Sequence, residues 1–452
     1  MDRTRRRLSP PQLLAASVAG LILVGALLLS LPVAAAEGRT IGVVDALFTA
    51  TSAVCVTGLV VLDTPGDLSF TGQVIVLALI QVGGLGYMTI STLIASALGR
   101  AITLQERLTL QEALNVQDLE GLVRFAGTVF RLTLLFELAG AAVLAARWWG
   151  EFGPAAIWLG VFHAVSAFNN AGFALWSDNL VRWRGDLTVN LVVTGLIITG
   201  GLGFLVMSEV LRLRRHRRVA FSLHTRLVIT TSLALLAGGT VALLLLEWGN
   251  PRTLGGLPVG ERVLAAWFQS VTARTAGFNT IDIGAMSAAS LFVVMALMFV
   301  GASPGSTGGG VKTTTLSITV AALWATVRGD REPAMFGRRL TAETVARAFF
   351  ISLIAFLALN ITAGIVLVVE SRSLMATLFE VTSAFGTVGL SIGDASRGPL
   401  SLAGYFGDDG KLLIVAMMFV GRTGPLTLAF ALARRGTARP KIRYPEGKVL
   451  IG

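Results

Sequence analysis

Long apolar runs alternate with short polar ones along the whole chain, and the runs are too long for core strands. Eight stretches approach or exceed the ~20 residues a helix needs to cross ~30 Å of hydrocarbon. They are residues 13–31, 71–98, 123–146, 187–211, 227–246, 291–327, 346–369 and 412–432. The pattern therefore predicts eight membrane spans. Within each consecutive pair lies a shorter apolar stretch that ends in a polar, glycine-bearing turn, the signature of a helix that enters the membrane and returns.

Aligned on a glycine, the four returns read FTATSAVCVTGLVVLD, FHAVSAFNNAGFALWSD, WFQSVTARTAGFNTID and FEVTSAFGTVGLSIGD. The shared glycines are Gly58, Gly172, Gly277 and Gly389, spaced 114, 105 and 112 residues apart (172−58, 277−172, 389−277). An aromatic precedes each by ten residues: Phe48, Phe162, Trp267 and Phe379. Such periodic self-similarity marks a repeat architecture. One unit is span, short re-entrant helix, glycine turn, span, with expected boundaries 1–120, 121–222, 223–343 and 344–452, the last including a C-terminal tail.

The second spans share an echo: QVGGLGYMT, ITGGLGFLV, FVGASPGSTGG and FVGRTGPLT place Gly83, Gly200, Gly301 and Gly421 in matching positions. Close helix packing accounts for Gly83 and Gly200, because small residues let membrane helices approach. It does not account for the four outer turns, since irregular backbone at membrane depth is tolerated only where it is buried or lines a cavity. Four such turns around one axis predict a ring of backbone carbonyls, which can replace the hydration shell of a weakly hydrated cation. The short helices would aim their partially negative C-termini at the same axis. The predicted ligands are the carbonyls of Val56, Thr57 and Gly58; Asn170, Ala171 and Gly172; Thr275, Ala276 and Gly277; and Thr387, Val388 and Gly389.

Composition fits this reading. Of 452 residues, 54% are hydrophobic and 14% charged, against ~25% charged in soluble domains, and the mean hydropathy is +0.74. The net charge of +11 is a matter of topology, not a nucleic-acid footprint. Arg3, Arg5, Arg6 and Arg7 precede the first span, and Arg212, Arg214, Arg215, Arg217, Arg218 and Arg226 follow the fourth. Arg328, Arg331, Arg338 and Arg339 follow the sixth, while Arg434, Arg435, Arg439, Lys441 and Arg443 follow the eighth. These are alternate connections, so the positive-inside rule places all of them, and both termini, in the cytoplasm. Cys55 is the only cysteine, and His163, His216 and His224 are scattered, which excludes an intrachain disulfide and leaves no convincing metal site.

The stretch GASPGSTGGGVK, residues 301–312, invites a phosphate-loop reading, but Val311 separates Gly310 from Lys312 and breaks that motif. A membrane enzyme acting on a phosphorylated substrate would also need a base, nucleophile or metal cluster, and no candidate stands out. Arg422 places a fixed charge inside an apolar run, which is costly and functional by default. One reading of it is a structural arginine bonded to helix-end carbonyls. Arg274 is expected to pair with a pore-helix acid such as Glu380. Arg131 and Glu137 lie six residues apart and do not share a helical face.

The four repeats and the run SPGSTGGGVKTT resemble the Trk/Ktr/HKT superfamily of potassium transporters, and the final RYPEGKVLIG is similar to the end of its Ktr membrane subunits. The resemblance covers essentially the whole chain, and the first repeat's early start favours the Ktr branch over Trk. It implies an all-α integral membrane protein whose repeats form a single-chain, pseudo-tetrameric, potassium-channel-like pore, and not an enzyme. Potassium is the expected ion because Gly58 is kept where more sodium-permeable plant members carry serine; the same fold conducting sodium or ammonium is the alternative. The resemblance further implies that Ala302, Ser303, Pro304, Gly305, Ser306, Thr307, Gly308, Gly309, Gly310 and Lys312 form an intramembrane gate beside Arg422, which would be both an electrostatic barrier to cations and a partner for loop carbonyls. Counted along the helix, that loop should fall well below the carbonyl ring, flexible and solvated. No cofactor is expected in the chain, with potassium transported and sodium a candidate stimulating ion. Expected partners are the lipid bilayer of the bacterial cytoplasmic membrane, a second copy in a homodimer, and a soluble octameric KtrA-type ring that binds ATP or ADP. The basic loops 211–226 and 328–339 either dock that ring or face solvent and lipid.

Overall fold

The computed structural model describes residues 9–86, 122–215, 220–330, 332–394 and 396–424, with Thr89, Leu108, Gln111 and Thr427. The arginine clusters before the first span and after the eighth, Arg217, Arg218, His216 and the C-terminal tail lie outside the described residues. Four long helices provide the first span of each repeat: Pro10–Leu29, Leu122–Phe152, Leu223–Glu247 and Ala342–Glu370. Among the described residues these are the helices long and apolar enough to cross a membrane singly. Leu23, Leu27, Leu135, Leu138, Leu245 and Val368 are 61% to 82% exposed on them. Aliphatic side chains so exposed on helices of this length face lipid, and the chain is a multi-pass membrane protein.

The short helices Val43–Val54, Ala155–Phe168, Val259–Thr272 and Leu374–Gly386 follow. At 1.5 Å per residue they rise only about 18–21 Å, too short to span. Their last turns, including Ser52, Ala167, Val271 and Phe385, are buried. The repeated unit is thus a lipid-facing span, a buried half-length helix and a second span.

The second spans depart from the sequence reading. The third was expected to be interrupted by its glycine-rich loop and the other three to be continuous, but the helices are Phe70–Leu85, Leu187–Leu202, Ala288–Phe299 and Asp408–Thr423. Three of the four stop at a glycine with positive φ: Gly86 (80°), Gly203 (92°) and Gly424 (85°). The second repeat resumes at Phe204–Arg215 after a 99° bend, and the third at Thr313–Arg328 after the glycine-rich loop. The continuations in the first and fourth repeats lie outside the described residues. Three residues before each of Gly86, Gly203 and Gly424 the helix packs against the preceding half-length helix. A Cβ on Gly83, Gly200 or Gly421 would strike the carbonyl oxygen of Val54, Phe168 or Phe385 respectively. Only glycine lets the helices approach that closely, so the structure shows the packing role expected of Gly83 and Gly200, and Gly421 shares it.

Among the described residues one hairpin interrupts the all-α plan: β1 (Ala334–Met335) pairs antiparallel with β2 (Arg338–Arg339) in the basic loop after the sixth span. Phe336 and Gly337 form its two-residue turn with φ of 51° and 73°, both positive as a type I′ turn requires.

The repeats close on one another. Phe48 and Val76 of the first share a core with Phe385 and Met418 of the fourth. Trp148, Trp176 and Trp183 centre a second core in the second repeat, and Leu243, Val294 and Met298 a third. Lys411 Nζ meets Asp45 Oδ1 at 2.6 Å and ties the last second helix to the first half-length helix.

Candidate ion pathway

Each half-length helix ends in a turn of unusual backbone. Val56, Asn170, Thr275 and Thr387 adopt φ of 50°, 59°, 71° and 48°, and two residues later the glycines adopt 92°, 71°, 76° and 92°. Left-handed conformations at non-glycine residues cost of order 1–3 kcal/mol and persist only when the surroundings enforce them. The enforcement is visible. Thr57 N donates to Ser52 O (2.8 Å), Ala171 N to Ser166 O (2.8 Å), Ala276 N to Thr272 O (3.0 Å) and Val388 N to Ser383 O (2.8 Å). Hydroxyls complete the grip. Ser52 and Ser383 accept from the N–H of Gly58 and Gly389 at 3.0 Å. Ser166 and Thr272 donate to the carbonyls of Phe173 (2.8 Å) and Phe278 (2.6 Å). With N–H groups turned back to the helix, successive carbonyls are free for the opposite side. These hydroxyl residues were missed in the sequence reading, although serine stands six places before the glycine in three of the four aligned segments.

The four turns form a closed ring. A Cβ on Gly58 would lie 2.5 Å from Ala171 O, and one on Gly172 2.8 Å from Ala276 O. On Gly277 it would meet Val388 O, and on Gly389 Thr57 O. Each middle carbonyl therefore abuts the glycine of the adjoining repeat in the order one, two, three, four, one. The positive φ and the neighbour's carbonyl both demand glycine there. The predicted carbonyl residues, from Val56 to Gly389, are brought together in this ring, all of them buried apart from the pathway itself.

Outside the ring opens a cavity of about 460 Å³ lined by the four glycines and by Asp63, Asp178, Asp282 and Asp394, one carboxylate per repeat. Burial raises the pKa of Asp63, opposed by its hydrogen bond from Ser177 Oγ at 2.6 Å. Asp394 is held low by the Ser396 hydroxyl, with Arg397 and Arg372 nearby. Asp178 pairs with Arg182 at 2.8 Å, and Asp282 accepts from Gly284 N at 2.9 Å. Each aligned segment ends in one of these aspartates, a signal that was present in the sequence and not used.

On the other side, residues 301–312 lie directly against the turns. A Cβ on Gly308 would strike the Thr275 side chain, and one on Gly309 would sit 2.5 Å from Thr387 Oγ1; Gly309 N donates to that hydroxyl at 3.0 Å. The expectation of a loop well below the ring is corrected. The chain first travels away from Gly277 to Ser287, and the return helix Ala288–Phe299, about 18 Å long, brings it back to the same level. The expectation of a solvated, loosely held loop is corrected too. Ala302, Ser303, Pro304, Thr307 and Gly310 are buried. Ser303 N donates to Gly201 O (3.0 Å), Thr307 N to Gly200 O (3.3 Å), and Gly305 O accepts from Phe204 N (2.9 Å). Ser306 Oγ donates to Ser303 O (2.6 Å), and Lys312 Nζ to Gly308 O (2.7 Å) and Gly309 O (3.3 Å). The ammonium is thereby occupied by the loop's own carbonyls and is not presented to a phosphate.

Arg422 joins the loop to the first repeat. It donates to Thr307 O, to Gly83 O and, at 3.4 Å, to Gly84 O. The helix-end-carbonyl reading and the loop-partner reading are one arrangement. Arg274 does not pair with Glu380. Its Nη2 reaches Gly301 O at 3.4 Å while its buried Nε finds no partner among the described residues. Glu380 accepts instead from Ser391 Oγ (2.6 Å) and Ala403 N (2.9 Å). Glu137 accepts from Gln81 and Asn169 at 3.1 and 2.9 Å, away from Arg131 as its spacing implied.

Fold and site together define a single-chain membrane pore of four repeats, with a carbonyl ring suited to a cation and a packed loop behind it. The chain belongs to the TrkH family of cation transport proteins, whose profile matches residues 21–436. It is 40% identical over 447 residues to the Ktr system potassium uptake protein B of Bacillus subtilis, covering 99% of this chain and 97% of that protein. It is 37% identical over 451 residues to the protein of the same description from Vibrio alginolyticus, covering 100% and 96%. Identity to the potassium/sodium uptake protein NtpJ of Enterococcus hirae is 39% over 459 residues, covering 100% and 99%. The crystal structure of the potassium transporter TrkH from Vibrio parahaemolyticus shares the fold, with a TM-score of 0.73 over 96% of this chain and 87% of that one at 18% identity.

Proposed function

We propose that the chain is the ion-translocating membrane subunit of a Ktr-type potassium uptake system. The observation that carries this reading is the closed cycle of glycine-to-carbonyl contacts, Gly58–Ala171, Gly172–Ala276, Gly277–Val388 and Gly389–Thr57. It offers a dehydrated cation a ring of neutral oxygens, as potassium filters do. The relatives named as potassium uptake proteins support the same ion. Residues 301–312 with Arg422 act as the gate, a reading supported by their packing against Thr275 and Thr387. Sodium passage is the second reading, favoured by the relative named for both ions. The Ktr description implies a further, regulatory component. We take this to be a cytoplasmic nucleotide-binding ring that docks on the basic loops, with the membrane subunit working as a homodimer in the cytoplasmic membrane, both termini inside.

Purified protein in liposomes, alone and with the soluble component of its system, tests the reading. Potassium flux that exceeds sodium flux supports it. Protein that inserts and passes neither ion overturns it.

A further inference from the structure

We propose that Glu380 is a positioning residue that sets ion selectivity by fixing the outer ends of the fourth and first glycine turns as one unit. The proposal deepens the potassium reading and rests on it. Glu380 is fully buried in the fourth half-length helix, nine places before Gly389. Its two oxygens serve different segments: one accepts from Ser391 Oγ at 2.6 Å, the other from Ala403 N at 2.9 Å. Ser391 lies two residues beyond Gly389, and its hydroxyl also accepts from Leu402 N at 2.8 Å. Glu380 thus holds residues 402 and 403 against the exit of its own turn.

The next residue back crosses to the first repeat. Ser401 N donates to Val60 O at 3.0 Å, and Val60 N donates to Ser401 Oγ at 2.9 Å. Val60 lies two residues beyond Gly58, so it matches Ser391. One carboxylate therefore grips both sides of the seam where Gly389 abuts Thr57 O. The second repeat uses the same register differently. His163, nine places before Gly172, accepts from Leu175 N at 3.2 Å while its Nδ1 faces Leu159 O at 2.7 Å. Its grip stays within one repeat. At the seam between the second and third repeats, Leu180 N donates to Asn279 O at 3.1 Å, and the Asn179 side chain adds long, neutral contacts of 3.4 Å with Gly172 O and Asn279 N. As the buried Glu137 bridges the first and second repeats between Gln81 and Asn169, the buried Glu380 holds the seam between the first and last parts of the chain. A shift of that seam moves two of the four carbonyl sets relative to each other, and ring geometry is what separates ions of equal charge.

The test is the potassium-to-sodium flux ratio of reconstituted variants. Glu380→Leu should lower the ratio about tenfold, ~1.4 kcal/mol of discrimination, while potassium still passes. Glu380→Gln, which keeps an acceptor for Ala403 N, should stay within about threefold of wild type, the size of a single modest hydrogen bond. Ser401→Ala removes the Val60 acceptor without touching Glu380 and should also lower the ratio. It decides the matter if Glu380→Leu does not reach the membrane. A wild-type ratio in Ser401→Ala, or an equal loss in Glu380→Gln and Glu380→Leu, overturns the proposal. Absence of potassium flux in the wild-type protein would instead overturn the functional reading beneath it.

Discussion

Replacing Arg422 by alanine removes three carbonyl contacts, to Thr307 in the loop and to Gly83 and Gly84 at the end of the first repeat's second helix. The contact to Thr307 matters for gating because it ties the loop to the fourth repeat's second helix through a charged donor. A hydrogen bond from a charged group contributes ~1.5–3 kcal/mol, against ~0.5–1.5 kcal/mol for neutral bonds such as Ser303 N to Gly201 O. At ~1.4 kcal/mol per tenfold, its loss should lower the closed population about 10- to 100-fold relative to arrangements with the loop displaced. Loss of a positive charge beside the path adds in the same direction. Opposing both, the Gly83 and Gly84 carbonyls lose a donor, a cost of ~1–3 kcal/mol that falls on the fold and not on the gate. Potassium flux into liposomes and the unfolding midpoint, measured on one preparation, separate the two. Arg422→Ala should raise flux in the absence of the soluble component, with Arg422→Lys intermediate. Unchanged or abolished flux in protein that stays folded in the membrane would show that the arginine supports the open pore, and the gate assignment would fail.

Gly58→Ser should raise sodium permeability relative to potassium, because its Cβ meets Ala171 O at 2.5 Å and the backbone sits at φ of 92°; an unchanged ratio removes Gly58 from the ring. Lowering external pH should reduce flux at low external potassium. Burial raises the Asp63 pKa, so Asp63 loses its charge at higher pH than Asp394, whose pKa is lowered by Ser396. Asp63→Asn should lower flux at neutral pH and shift the remaining decline to more acid pH; an unaltered pH profile refutes a role for that carboxylate. In a Cys55→Ser background, cysteine at Asp63 or Asp282 should react with impermeant thiol reagents from outside and cysteine at Arg338 should not, while the reverse pattern inverts the orientation. Deletion of residues 306–310 should increase flux. It should also lower selectivity, since Gly309 supports Thr387; lost flux in inserted protein argues against a gate.

The repeat was legible because the same backbone problem recurs four times: a turn at φ near 71° to 92° against a neighbouring carbonyl admits only glycine. The long first spans were legible because hydropathy over two dozen residues has one physical meaning. The break in the third repeat's second span was legible in its glycine-rich run, but those in the first and second repeats were not. Hydropathy sums composition and is blind to φ, so the break at Gly86 and the bend between Leu202 and Phe204 read as uninterrupted apolar runs. The loop's depth was misread because rise per residue counts distance along a path without its direction, and here the path doubles back at Ser287. The pairing of Arg274 with Glu380 rested on opposite charge alone. Glu380's actual partners are an adjacent hydroxyl and a backbone N–H, for which sequence carries no comparable signal.

The bonds that close the ring join residues far apart in synthesis: Val60 to Ser401, Asp45 to Lys411 and Gly83 to Arg422. In a tetramer of identical subunits the equivalent contacts form on collision of finished parts. Here the first repeat enters the bilayer with half of its partners still on the ribosome. Until the fourth repeat arrives, Val60 lacks the Ser401 hydroxyl and the Gly58 turn lacks the neighbour at Gly389. Such late, non-local closure is intrinsically slow and leaves incomplete species exposed. A chain cut short before the fourth half-length helix, Leu374–Gly386, is therefore not three quarters of a pore. It carries three turns with an open seam, a ring that no longer encloses an ion and so conducts nothing in proportion to its length.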